Sequence, residues 1–472
     1  MKKTLLVLCL SAAAWCDPTW TVNTPKFPLI APQQSWVELE VKGPAGAHPQ
    51  LQGPGQGGLR GGGSPLTEMS PGLYRCRFQP IEGDLRVDEE VLGSCQTVSG
   101  LLGIFEVTRP GAVFRTGPSS DYDRLTPVAA GVRFEAIQRQ GDWVQVRPPM
   151  GWIKLSDGNL LEPSASLGNP QLTMIRVSEP ANRVQIRLGS PCAWQVREDV
   201  EGHKLWIDLP GVPMAMFHIA YAQKTKNLPS IRMWPQDNGS TVEIPLRQRL
   251  WGYQQRWTGQ DLIVDVTPAP KIDPKHPLRG LRITLDAGHG GKDSGTVGLE
   301  LKVKEKDLNF KVTSALKAEL EKGGARVTLT RNGDRQVSAE SAPADQELQS
   351  RVEVAERSQA QLFISIHHNA RPDIKDGRVS HGTHIYYYQP SGRGLAQAIA
   401  EPLAKAIGEP DWMHLWRSFH VIRQTGMPAV LVEVNFLSNP TLEKGMLARP
   451  DYAHKAARGI RQGIERFLRA DL

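Results

Sequence analysis

Cysteine is scarce in this chain: there are five in 472 residues, and none follows Cys192. The second half therefore has no cysteine nucleophile and no thiolate to hold a zinc ion. No Gly-x-Ser-x-Gly run occurs, which disfavours a serine hydrolase built on a nucleophile elbow. Long apolar runs are missing as well. The apolar stretch 4–10 follows Lys2 and Lys3 and precedes small residues at 11–14. It is too short for a stable membrane span and reads as a secretory signal cleaved after Ala14. Cys16 raises lipid modification as an alternative, which the bulky Trp15 before it fits poorly. Dense Lys/Arg blocks are absent too. The balance of 56 basic to 49 acidic residues, net +7, suits an acidic partner such as a wall polymer but forms no nucleic-acid patch. The expected setting is extracytoplasmic, in a periplasm or a cell wall. An exported chain permits a disulfide between Cys76 and Cys95, whereas Cys192 has no evident partner.

What is present is a succession of modules, since 472 residues exceed one compact core. Short strand patterns such as Trp36-Val37-Glu38-Leu39-Glu40-Val41 fill residues 20–100, interrupted by the Gly-rich 53–63. No Lys-Ser/Thr or helix follows those glycines, so they read as a loop and not a phosphate cradle. A small β-sandwich is expected there. Residues 108–163 carry short strands at close spacing. The pieces Arg115-Thr116-Gly117-Pro118-Ser119, Gly141-Asp142-Trp143-Val144-Gln145-Val146 and Gly151-Trp152-Ile153 resemble a bacterial SH3-like domain, a class that often binds wall peptides. The plainer reading makes Trp143 and Trp152 core residues of a spacer. Period-two alternation from 170 to 267, as in Arg183-Val184-Gln185-Ile186-Arg187-Leu188, predicts a second β-sandwich. It is weakly similar to the modules that target wall amidases. Residues 268–278 are a Pro-rich linker.

From 279 to 470 the pattern changes to strands alternating with helices. Leu308, Val312, Leu316 and Leu320 mark one face of a helix beginning near Lys306 and ending at Gly323-Gly324. Strands are expected at 281–285, 325–329, 361–366, 383–388 and 429–434. Helices are expected around Leu348, Val352 and Ala355, around Leu395, Ile399 and Leu403, and around Ala456, Ile460 and Ile464. The chain is thus read as multidomain: small all-β modules, then an α/β domain whose mainly parallel sheet is covered by helices on both faces.

Open α/β sheets bind ligands beyond the carboxyl ends of their strands. His289 follows the first strand, framed by glycines that keep the space around its ring open. His367 ends a strand, Glu433 ends another, and Glu305 precedes the first helix. All four should share one rim. Two imidazoles and a carboxylate supply three zinc ligands with a fourth position for water, and Glu433 suits the role of proton carrier. His368 competes with His367, because adjacent strand residues face opposite sides. His381, His384, His414 and His420 read as surface or cleft residues. Trp412 and Trp416 are expected in the core.

Four segments in order carry a wider resemblance. They are Asp286-Ala287-Gly288-His289-Gly290-Gly291-Lys292-Asp293-Ser294-Gly295, Glu305-Lys306-Asp307-Leu308-Asn309, Ser365-Ile366-His367-His368-Asn369-Ala370, and Met427-Pro428-Ala429-Val430-Leu431-Val432-Glu433-Val434-Asn435-Phe436-Leu437-Ser438-Asn439. Together they resemble the zinc-dependent N-acetylmuramoyl-L-alanine amidases. The resemblance implies His289, Glu305 and His367 as ligands of one zinc ion, Glu433 as the catalytic glutamate, and peptidoglycan as substrate. The bond broken would join N-acetylmuramic acid to L-alanine of the stem peptide. Asn435 stands where the family often has glycine, and His368 where alanine is common. The segment 408–425 is too short for the plugging helix that some relatives insert. Two alternatives stay open: another zinc wall hydrolase (an endopeptidase or deacetylase), and a wall-binding scaffold with an inactive amidase domain.

Overall fold

A computed structural model describes residues 20–24, 27–32, 37–52, 64–80, 82–88, 90–98, 100–109, 111–120, 122, 124–148, 150–178, 182–199, 203–221, 226–371 and 380–470. The signal-like start, Cys9, Cys16, Trp36 and the Gly-rich 53–63 lie outside them. The chain divides into two compact units, Met1–Gly168 and Asn169–Leu472.

In the first unit, Thr21–Thr24, Val37–Lys42, Leu73–Phe78 and Thr67–Ser70 form a four-stranded sheet in that order. Val37, Leu39 and Val41 are buried while Glu38 and Glu40 are not, so alternation decides which face meets the core. A second sheet has a connection that local pattern does not announce. Leu29–Pro32 pairs parallel with Glu90–Val98 and antiparallel with Arg133–Gln140, with Arg139 opposite Ile30. That sheet therefore runs on into the strands between 103 and 161. There Trp143 and Trp152 are buried, and Phe114 packs edge-on against Phe134 with ring centroids 4.9 Å apart. Cys76 and Cys95 are free thiols on strands of different sheets. Burial pushes each up to about 11.

The second unit opens with two antiparallel-rich sheets of five and four strands, between Leu172 and Pro268. They enclose a core that includes Ile175, Val184, Ile186, Leu205, Ile207, Val242, Ile244 and Val264. Beyond residue 278 lies the α/β domain. Its elements are β1 (Arg282–Ala287), α1 (Glu305–Lys322), β2 (Arg326–Leu329), α2 (Ala344–Arg357), β3 (Leu362–Asn369), β4 (Thr383–Tyr387), α3 (Pro390–Ile407), β5 (Trp412–Trp416), α4 (His420–Arg423), β6 (Ala429–Phe436), α5 (Pro440–Leu442) and α6 (Tyr452–Ala470). The sheet order is β2-β1-β3-β6-β4-β5. Every pairing is parallel except β4 with β6.

Burial explains this order. Phe363, Ile364 and Ile366 of β3 and Val430, Val432 and Val434 of β6 are fully buried, as central parallel strands must be. On β1, Thr284 and Asp286 face α2, where they meet Ser358 and Arg351. Ile283 and Leu285 therefore point to the opposite face. Leu308, Val312, Leu316 and Leu320 form the buried stripe of α1. Helices α3 and α6 approach closely because of two glycines one turn apart. A Cβ on Gly459 would lie 2.6 Å from the Leu403 Cα, and one on Gly463 would lie 2.4 Å from the Ile399 Cα.

Two strand ends differ from expectation. β3 and β6 continue past His367 and Glu433, which pair with each other inside the sheet. The expected end at Ile366 misses this because polar residues at a sheet rim interrupt the apolar run without ending the ladder. Strand β5 was not expected at all. It is an edge strand whose residues are exposed or half-buried, so it lacks a burial pattern. Trp412 is accordingly 43% exposed rather than core, and Trp416 is only half-buried. The segment 408–425 holds only β5 and the single turn α4, with no plugging helix. Among the described residues, no helix is long and apolar enough to cross a membrane.

The β-module is fastened to the α/β domain. Glu198 accepts a 2.8 Å hydrogen bond from the backbone N–H of Ser391 in the first turn of α3 and lies beside the Tyr253 phenol, while among the described residues its buried Oε1 has no partner at hydrogen-bond distance. Burial pushes this carboxyl up to about 7, outweighing that hydrogen bond. The folded protein thus holds a proton that the unfolded chain releases near 4.5, so stability falls as pH rises from about 4.5 through 7. Glu198→Gln should remove that slope and raise stability at pH 8 by about 3 kcal/mol. Urea unfolding at pH 5 and pH 8 checks this; equal slopes in both proteins would refute it.

Candidate active site

The site lies on the α2-facing side of the sheet, at the carboxyl ends of β1, β3 and β6. His289 follows β1 in a turn with a left-handed backbone, φ 61°. A non-glycine residue rarely holds that conformation unless its surroundings enforce it. Here two buried arginines enforce it. Arg351 donates to the carbonyls of Ala287 and His289, both at 2.9 Å. Arg331 donates to those of Ala287 and Gly288. Arg351 is itself paired with buried Asp286 at 2.8 Å, and Asp286 also accepts from Thr330 and Ser365.

Glu305, the first residue of α1, is 4% exposed and central to the cluster. Its Oε1 lies 3.1 Å from His289 Nε2 and 3.0 Å from His367 Nδ1. Its Oε2 accepts from the Thr296 N–H at 2.9 Å. Three donor atoms on a tetrahedral centre with bonds near 2.1 Å lie about 3.4 Å apart, so these separations suit one small cation. The glycines keep the cradle open. A Cβ on Gly288 would come within 2.2 Å of the His367 ring, and one on Gly295, at φ +61°, within 2.6 Å of Glu305 Oε2.

The charges agree with this crowding. Burial alone would lower the His289 imidazole, but Glu305 and then Asp293 outweigh it and push it up to about 9. Burial would raise Glu305, but its two histidines hold it far below the usual carboxylate range. A cation in their midst would take over the role the His289 proton plays. Glu433 lies beside His367 in the β3–β6 register. Burial pushes its carboxyl up to about 7, with Glu305 adding to the effect and His367 opposing it. Its Oε2 is buried and has no hydrogen-bond partner among the described residues. An orphaned acceptor beside three convergent donors fits a water held between them.

Comparison with known proteins places these residues in a family. The sequence profile described as N-acetylmuramoyl-L-alanine amidase matches residues 283–466. The germination-specific N-acetylmuramoyl-L-alanine amidase of Bacillus subtilis (strain 168) is 33% identical over 203 residues, which cover 41% of this chain and 81% of that protein. The chain belongs to the N-acetylmuramoyl-L-alanine amidase family. The amidase LytC of the same organism is 35% identical over 216 residues, covering 44% of this chain but 40% of LytC, so the chain spans less than half of that relative. The solved catalytic domain of CwlV, from Bacillus (Paenibacillus) polymyxa var. colistinus, is 36% identical, with 40% of this chain and 98% of that one covered and a TM-score of 0.36.

Within this amidase-family domain, the structure brings His289, Glu305, His367 and Glu433 together as the rim argument expects. His368 is separated from them by strand alternation. It is buried on the α1 side, between Asn309 Oδ1 at 2.8 Å and the Tyr452 hydroxyl at 3.0 Å, and burial lowers it to about 3. Asp293 is a residue that sequence reasoning left without a role. It accepts from His289 Nδ1 at 2.8 Å and so fixes the ring with Nε2 turned to Glu305. Its spacing four residues after His289 was the available signal.

A second cluster, His381, Glu409 and Asp411, has a different geometry. His381 meets Glu409 through Nδ1 at 2.9 Å and Asp411 through Nε2 at 3.5 Å. Two nitrogens of one ring diverge, so this is an imidazole strung between two acids and not a cage. Buried Asn435, at the position where the family often has glycine, donates to Glu409 at 2.8 Å and accepts from the Gly382 N–H. The departure at Asn435 therefore ties the end of β6 to the start of β4.

Proposed function

We propose that this protein is a zinc-dependent peptidoglycan amidase that hydrolyses the amide between N-acetylmuramic acid and L-alanine of the stem peptide. The observation that carries the reading is the meeting of three donor atoms, from His289, Glu305 and His367, beside the unpartnered buried oxygen of Glu433. Those three residues would hold the zinc ion. Zinc bound there would lower the pKa of a water toward neutrality and polarise a carbonyl.

The chain's own residues supply the rest. Asp293 fixes the His289 ring, and Arg351 and Arg331 fix the backbone that carries it. Glu433 takes the proton of the attacking water and returns it to the nitrogen of the leaving peptide. Its position opposite His367 in the β3–β6 register suits both transfers. The β-modules would direct the enzyme to the wall, and the signal-like start would export it.

Chelation should abolish release of stem peptide from purified peptidoglycan, and added zinc should restore it. Mass spectrometry of the digest should show free peptides beginning at L-alanine. Activity that survives complete zinc removal, or split cross-links in place of free stem peptides, would overturn the assignment.

A further inference from the structure

The β3–β6–β4 register sets three side chains in one row across the sheet. His367 is opposite Glu433 on one side, and His384 is opposite Glu433 on the other. Strands in a sheet are about 4.8 Å apart, so the row continues from the metal-holding side, past Glu433, onto β4. Asn369 lies two residues beyond His367, and Tyr386 two beyond His384, so both share this face. These side chains form a connected group. His384 Nδ1 lies 3.5 Å from Asn369 Nδ2 and 3.4 Å from the Tyr386 hydroxyl. The Asn369 Nδ2 group only donates, so His384 Nδ1 is the acceptor of that contact. All three residues are half-buried. Exposed Arg417 follows β5, and its backbone N–H donates to the carbonyl of Tyr387, next to Tyr386, at 2.9 Å.

We propose that Asn369, His384 and Tyr386, with Arg417 at the outer edge, form the subsite that grips the stem peptide on the leaving side of the scissile amide. The inference rests on the function proposed above. An amide there must turn its oxygen toward His289, Glu305 and His367 and its nitrogen toward Glu433. Whatever the nitrogen carries then extends beyond Glu433, over β4. That group is a peptide with backbone amides and free carboxylates. Imidazole, phenol and carboxamide groups match the amides, and a guanidinium matches a carboxylate. His384 and Tyr386 are thus peptide-contacting residues, not carriers of the reacting proton.

The test uses the full-length zinc protein and its own products. Stem peptide and glycan fragments are purified from a wild-type digest and used as competing inhibitors. His384→Ala, Tyr386→Phe and Arg417→Ala should each raise KM and weaken inhibition by the stem peptide about tenfold, the loss expected for one hydrogen bond or ion pair to a ligand. Zinc content and inhibition by glycan fragments should not change, and His384→Gln should recover part of the peptide affinity. Unchanged stem-peptide inhibition in all three variants would overturn the subsite while leaving the proposed reaction intact. Lost zinc, or a fall in kcat at constant KM, would also overturn it by showing a structural role. A wild-type protein that releases no stem peptide would remove the reaction and the subsite together.

Discussion

Glu433→Gln should lower kcat by roughly 100- to 10,000-fold, the usual contribution of a positioned general base. Zinc content should stay at the wild-type level, because Glu433 is not one of the three convergent donors. Glutamine keeps the shape and one acceptor oxygen but cannot take a proton. Stability separates this from a folding defect. Glu433 is half-buried, its buried Oε2 has no partner among the described residues, and burial holds its proton up to about 7. Ionising it therefore costs the fold free energy as pH rises from about 4.5 through 7, and glutamine carries no such cost. Metal-free Glu433→Gln should unfold at pH 8 at or above the wild-type temperature. Steady-state kinetics, metal analysis and calorimetry check the three statements; near-normal turnover would remove Glu433 from the chemistry.

The parts of this site that were legible in the sequence are those that single strands and helices encode. Glycines around His289 announce an open turn, apolar runs before His367 and Glu433 announce buried strands, and four-residue spacing announces α1. Alternation reduces the His367–His368 choice to one face against the other, but which face holds the site depends on where α1 and α2 pack. What pairs distant elements was not legible. Arg351 holds the His289 carbonyl from 62 residues away. His384 reaches Glu433 because β4 runs antiparallel to β6 in an otherwise parallel sheet, and no local pattern encodes that reversal. Asp286 looked like part of a motif, whereas its buried bonds to Arg351, Thr330 and Ser365 make it a strut beneath the turn.

Trp251→Ala should destabilise the protein by about 3–5 kcal/mol, the range for truncating a buried tryptophan. Trp251 belongs by sequence to the β-module, in strand Leu250–Thr258, yet it is 1% exposed within the core of the α/β domain. Its ring lies 5.5 Å from Phe467 of α6, and Nε1 donates to the Gln361 carbonyl at 2.5 Å. Truncation opens a cavity and also leaves that carbonyl at the start of β3 without its donor. Trp251→Phe separates the two losses: it keeps most of the packing and should cost about 1 kcal/mol for the hydrogen bond. Nearby contacts make the same joint. Gln254 donates to Glu356 of α2 at 2.8 Å, and a Cβ on Gly252 would lie 2.3 Å from the Gly426 carbonyl oxygen. If the β-module were only tethered to the α/β domain, Trp251→Ala would leave the unfolding midpoint of that domain where it is. A shared core requires both to shift together, because β3 and the strand carrying Trp251 lose the same contact. Guanidinium unfolding followed separately by near-ultraviolet dichroism and by the far-ultraviolet signal of the α/β domain's helices distinguishes the two cases.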